Sequence, residues 1–108
     1  MLVNLLMWEE YYFYVDVLDV PEFIANDLEN YCSQAVDWLL DKRHDHEFWA
    51  YSKPNHRGKK VGVLGCSDSF IFWINEILLK GKKEFAKIVK RDLRENEYDK
   101  SLPTVEYG

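Results

Sequence analysis

Around Pro21 the spacing of apolar residues changes from every second position to a 3.6-residue period, so strands and helices must share one core. Upstream, Glu10 to Val20 alternates β-favouring residues. Tyr11, Phe13, Val15 and Val17 fall on one face, and Tyr12, Tyr14, Asp16 and Leu18 on the other. This is the pattern of a strand with one inward face. Met1 to Trp8 is apolar without a clear period and reads as a preceding strand or a short helix. Downstream, Pro21 suits the first position of a helix, where its missing N–H costs nothing, with Glu22 and Asp27 near the positive end. Ile24, Leu28, Tyr31, Ala35, Val36 and Leu39 keep the helical period to about Lys42, while Glu22, Asp27, Glu29, Asp37 and Asp41 lie off that stripe.

His46 to Ser52 and Lys60 to Cys66 read as a strand pair joined by Lys53–Lys59, whose Pro54 and Gly58 are turn formers. Gly62 and Gly65 suggest a bend or a close backbone approach in the second strand. Ser67 or Asp68 can cap a following helix with Phe70, Ile71, Ile74, Ile77 and Leu78 inward. After Gly81, the segment Lys82 to Glu97 reads as a second amphipathic helix or as a kinked continuation of the first. Phe85, Ile88, Val89 and Leu93 form its apolar side. Ser101, Pro103 and Gly108 give residues 98–108 the character of an irregular tail. The expected order is β-α-β-β-α(α), an α+β domain with a three- to four-stranded antiparallel or mixed sheet packed by two or three helices. At 108 residues there is room for one core, placed in residues 1–97.

No apolar run approaches the ~20 residues that span a membrane, and Met1 to Trp8 is followed by Glu9 and Glu10 without a basic n-region or a small-residue cleavage site, so a soluble, cytoplasmic protein without an export signal is expected. Cys32 and Cys66 are too few to staple a secreted mini-domain and are expected as free, packed thiols.

The net charge of −5 hides a division. Residues 1–50 hold eleven acids against two bases, a charge of −9, whereas residues 51–108 carry +4. The bases concentrate in Lys53 to Lys60 and Lys80 to Arg94. An acidic half steers basic molecules toward it and repels nucleic acid.

Catalytic patterns fail when tested. His44-Asp45-His46-Glu47 offers metal ligands, but adjacent strand residues point to opposite faces and no third ligand is spaced to complete a site. A solvated connection leaving the helix accounts for these residues better, and from there the two imidazoles could also interact with the helix's C-terminal carbonyls. Cys66-Ser67-Asp68-Ser69 resembles a strand-to-helix nucleophile turn but lacks the second glycine of G-x-S-x-G and any histidine tied to it. No enzyme activity, metal or cofactor is expected. A basic 53–60 turn flanked by Trp49 and Tyr51, together with an 80–94 helix, would suit a small nucleic-acid-binding or regulatory module, although the overall charge opposes it.

The aromatics carry more weight. Seventeen rings cannot all be buried in so small a domain, and several are interleaved with carboxylates. Tyr and Trp dominate interface hot spots and carboxylates accept arginine bidentately, so Tyr12, Tyr14, Asp16, Asp37, Asp41, Asp45, Glu47, Trp49 and Tyr51 form the expected partner-binding set. A small chain with an acidic, aromatic-rich half and no catalytic constellation resembles the small bacterial immunity proteins that neutralise toxin domains of contact-dependent-inhibition and colicin-like systems. The resemblance implies a non-enzymatic inhibitor whose acidic face binds the basic active-site cleft of a nuclease toxin. A phage-encoded inhibitor of a host protein shares these features.

Overall fold

A computed structural model describes residues 1–52 and 58–107. Most of the expected basic turn, residues 53–57, lies outside the described residues. The apolar run at the start of the chain is a strand, β1 (Leu2–Trp8), and it pairs antiparallel with β2 (Phe13–Asp19) in a register from Leu2 opposite Asp19 to Trp8 opposite Phe13. Val3, Leu5 and Met7 of β1 therefore share a face with Leu18, Asp16 and Tyr14 of β2, and this face meets the helices.

The expected single inward face of β2 is corrected: Val15, Asp16, Val17 and Leu18 are all buried, because both sides of the sheet are covered. The second cover comes from the segment expected to be an irregular tail. Its residues Thr104–Glu106 form β6, which pairs parallel with β1, and Tyr107 is buried. On the way there, residues 94–103 pass over the face opposite the helices. The Asn4 amide donates to the Asp99 carbonyl at 2.9 Å and to Thr104 Oγ1 at 3.1 Å, while Tyr98 sets its ring edge against Phe13.

The helix expected from Pro21 to Lys42 is two helices, α1 (Glu22–Ala25) and α2 (Leu28–Leu40). The break falls at Asn26-Asp27, where short polar side chains compete with the helical backbone; Asp27 leaves the helical region and its carboxylate accepts from the Asn30 amide instead. Pro21 stands one place earlier than expected, at the cap before α1 with φ −55° and ψ 148°. Leu28, Cys32, Ala35 and Leu39 make the buried row of α2, whereas Val36, expected inward, is exposed.

Strands β3 (Trp49–Tyr51) and β4 (Lys60–Val63) form a separate antiparallel pair, shorter than expected, closed by Ser52 N–H to the Lys59 carbonyl. A side chain at Gly62 would meet open space, so no close backbone approach occurs there. Helix α3 (Ser67–Trp73) continues into a π-helical turn, Ile74–Leu78, with Phe70, Trp73 and Ile74 in the core. Cys66 occupies the cap position, because the Ser67 hydroxyl is turned inward to Asp16; Ile77, expected inward, is exposed. Leu79 caps this run, and Gly81 takes φ 78° in the turn that follows, where Lys82 N–H donates to the Leu79 carbonyl.

The expected helix over Lys82 to Glu97 is instead a strand, β5 (Lys87–Leu93), antiparallel to β2. Packing overrides period here: the second edge of β2 needs hydrogen-bond partners, and Ile88-Val89 are β-branched. Asn75 sets the entry to the strand, its side chain donating to the Ala86 carbonyl and accepting from the Ala86 N–H at 2.9 and 2.7 Å. The result is an α+β fold with a four-stranded mixed sheet in the order β5-β2-β1-β6. Among the described residues no helix is long and apolar enough to cross a membrane.

Candidate functional site

The nine expected partner-binding residues do not form one surface. Asp16 is 4% exposed, on the helix-facing side of β2, where it accepts from Ser67 Oγ at 2.6 Å and from the Asp92 N–H at 3.0 Å. Asp92 is held in the left-handed region at φ 59°. Trp49 is 5% exposed; its indole N–H donates to the His44 carbonyl, and its ring stacks with His46 and meets the Lys60 ammonium 4.9 Å from its centroid. Both residues are corrected from surface to interior. Asp16 lies on the face of β2 that the start of α3 covers, and Trp49 packs on the two histidines that follow α2.

Among the remaining members, Tyr14 and Tyr51 are half-buried. Burial, followed by the nearby Asp16 and Glu9, pushes the Tyr14 phenol above its ordinary range. Asp41 binds the Arg43 guanidinium through both oxygens and the Arg43 N–H as well, which holds its carboxyl well below the usual carboxylate range. Asp45 pairs with Lys60 at 3.0 Å. Asp37 and Glu47 are exposed without an ion pair among the described residues, and Tyr12 is exposed beneath Arg94 at 4.7 Å.

The expected solvated connection is corrected: His44 and His46 are half-buried, stacked on Trp38 and Trp49, and both reach the carbonyls at the end of α2. His44 Nδ1 donates to the Trp38 carbonyl and His46 Nε2 to the Leu39 carbonyl, while His46 Nδ1 accepts the Phe48 N–H, which fixes His46 as the neutral Nε2–H tautomer.

Two surfaces stand out. The first is the tip of the β1–β2 hairpin. With Trp8 opposite Phe13 and Glu9 N–H bonded to the Tyr12 carbonyl at 2.7 Å, only Glu10 and Tyr11 are left to make the turn. Neither takes the positive φ of the usual two-residue hairpin turns, and neither is a turn former, so turn chemistry does not account for this Glu-Tyr pair. Tyr11 is 89% exposed, Trp8 56% and Tyr12 49%, beside exposed Glu9 and Glu10. Trp8 is braced by Phe13 at 5.3 Å, and Phe13 in turn by Tyr98. The tip therefore presents three aromatic rings and two carboxylates on a supported hairpin. Sequence reasoning missed Trp8, Glu9, Glu10 and Tyr11 by running the strand from Glu10 and turning Tyr11 inward. The readable signal was the acidic pair separating two apolar runs.

The second surface is a groove of roughly 470 Å³ between α2 and β6, lined by Glu29, Cys32, Ser33, Val36, Asp37 and residues 104–107. Glu29, Ser33, Val36 and Leu40 repeat at helical spacing as the row beside the buried one. Leu40 and Leu64 carry its apolar continuation toward β4. Burial, with Glu29 nearby, pushes the Cys32 thiol up to about 12, leaving it a packing group. The opposite edge of the sheet is basic: Lys87, Lys90, Arg91 and Arg94 are exposed on or beside β5, with Arg91 paired to Asp68.

Comparison with protein-family models, curated proteins and solved structures found no match to this chain.

Proposed function

We propose that this protein is a non-enzymatic inhibitor that binds a basic protein partner through the β1–β2 hairpin tip, in the manner of a toxin-immunity protein acting in the cytoplasm on a nuclease domain. The observation that carries this reading is the exposure of Trp8, Tyr11 and Tyr12 together on a two-residue turn flanked by Glu9 and Glu10. Contiguous exposed apolar surface rimmed by charge marks interaction sites, and Tyr and Trp supply large contact area for few rotatable bonds. A nuclease cleft is basic because it must hold phosphates, so carboxylates at the tip are drawn to it and the rings then exclude water from the contact. A phage-encoded inhibitor of a host nucleic-acid-binding protein would use the same contact.

Protection in cells tests the reading. A host expressing the nuclease encoded beside this chain's gene survives with the wild-type protein and dies when Tyr11→Ala and Trp8→Ala are combined. Protection that survives these changes, or a neighbouring gene without a toxin domain, overturns it.

The exposed bases of β5, with Phe85 exposed beside them, favour a second reading as a nucleic-acid-binding module. Oligonucleotide binding that is steeply salt-dependent and lost in Lys87→Glu/Lys90→Glu would replace the inhibitor reading with this one.

A further inference from the structure

β6 is the edge of the sheet beside the groove. The Pro103 carbonyl accepts from Asn4 N–H at 2.8 Å and the Tyr107 N–H donates to the Leu6 carbonyl at 2.9 Å, so alternate residues 103, 105 and 107 face β1. The N–H and C=O groups of Thr104 and Glu106 must then point away from β1, and nothing among the described residues pairs with them. Both residues line the groove, along with Glu29 and Asp37, and no lysine or arginine does.

Sheets protect free edges with charge, irregularity or shortness. The β5 edge carries Lys87 and Lys90, shifts register against β2 and includes the left-handed Asp92. β6 is only short, three residues, and offers four outward backbone groups. An added strand would therefore gain few backbone bonds and would need side-chain contacts as well. The carboxylates supply them. Glu29 and Asp37 are eight residues apart on α2, about 12 Å along its axis, and positions four apart on an extended strand are separated by about 13 Å.

We propose that the β6 edge adds an extended basic segment of a partner protein, which pairs its backbone with Thr104 and Glu106 and sets alternate lysine or arginine side chains against Glu29 and Asp37. The inference stands on a different surface from the hairpin tip and shares with that reading only the basic character of the partner. Charge complementarity selects this occupant over a second copy of the chain, whose β6 edge would bring its own carboxylates to the contact.

The probe is a nine-residue peptide alternating lysine and valine, titrated into the isotope-labelled full chain, with a glutamate–valine peptide as control. Amide exchange at Thr104 and Glu106 is expected to slow at least tenfold with the lysine peptide and not with the control, with no change at β5. Glu106→Pro, which removes an outward N–H without touching the β1 ladder, should weaken binding at least tenfold, and Glu106→Gln should weaken it less. The exchange measurement on the unaltered chain decides the matter if Glu106→Pro fails to fold. The inference is overturned by peptide binding that leaves the Thr104 and Glu106 amides unchanged, by protection along β5 instead, by protection that depends on protein concentration without peptide, or by no binding of the lysine peptide. Loss of the edge effect with Tyr11-dependent partner binding intact overturns this inference alone.

Discussion

Replacing Asp16 by alanine should destabilise the fold rather than remove a partner contact. The side chain is buried between β2, the start of α3 and the irregular end of β5, where it accepts from the Ser67 hydroxyl and the Asp92 N–H. Removing it orphans two donors, at about 1–3 kcal/mol each, and leaves a small void. The Ser67 hydroxyl retains the Met7 sulfur as a weak acceptor at 3.7 Å, which trims its share. A total of about 2–4 kcal/mol follows, a drop in melting temperature on the order of 10 °C for a domain of this size. Ser67→Ala should cost about 1 kcal/mol, and the pair should be non-additive because they share one bond. Urea denaturation of the two single variants and the double variant measures all three quantities. If Asp16→Ala stays within about 0.5 kcal/mol of wild type, as for an ordinary surface position, the buried bridge is not holding β5 to α3 and the reasoning fails.

Three further outcomes follow from the same packing. Burial pushes both Tyr107 and Cys32 up to about 12 from ordinary values of 10.0 and 9.0, so the unfolded chain releases these protons first. Stability should be intact below pH 9 and fall above it, each group adding a slope of about 1.4 kcal/mol per pH unit inside its window. Urea midpoints from pH 8 to 11 check this, with Cys32→Ala and Tyr107→Phe each flattening the decline; a level profile would count against the burial of both. Ser69 spends its one proton on the Cys66 carbonyl, so Tyr107 donates to Ser69 and Tyr107→Phe should cost about 1 kcal/mol at neutral pH by thermal melting. Asn75→Ala should cost about 2–4 kcal/mol, because both backbone groups of Ala86 lose their partner, and exchange at the Ala86 amide should rise with it.

What could be read from the chain were the features set by local period. Leu28, Ala35 and Leu39 of the expected stripe form the buried row of α2 with Cys32, and residues 13–19 favour β structure, so a helix, a strand and the α+β class were legible, while the break at Asn26-Asp27 and the burial of both faces of β2 were not. Lys82 to Glu97 was not, because Phe85, Ile88, Val89 and Leu93 fit a helical stripe as well as a bulged strand. The choice was made by the unpaired edge of β2, some 70 residues away in sequence. β6 failed for a similar reason: Pro103 and a three-residue span look irregular until β1 offers a partner. The groove inherits that difficulty. One wall, the Glu29-Ser33-Val36-Leu40 row, is visible as a second helical stripe, but the other comes from the far end of the chain. At the hairpin tip, aromatic abundance was recognised and its position was not, since one residue of register decides whether Tyr11 lies in a strand or on a turn.

Binding kinetics of the protein encoded beside this chain's gene test the central claim most directly. Tyr11 makes no ring contact among the described residues, so its truncation reports binding rather than folding. Tyr11→Ala is predicted to raise the dissociation rate about 30-fold, equivalent to a hot spot of about 2 kcal/mol. Glu9→Lys/Glu10→Lys is predicted to slow association and flatten its salt dependence, and Lys87→Glu/Lys90→Glu to leave both rates alone. Binding that is indifferent to Tyr11, Glu9 and Glu10 but abolished by reversing Lys87 and Lys90 would contradict the account.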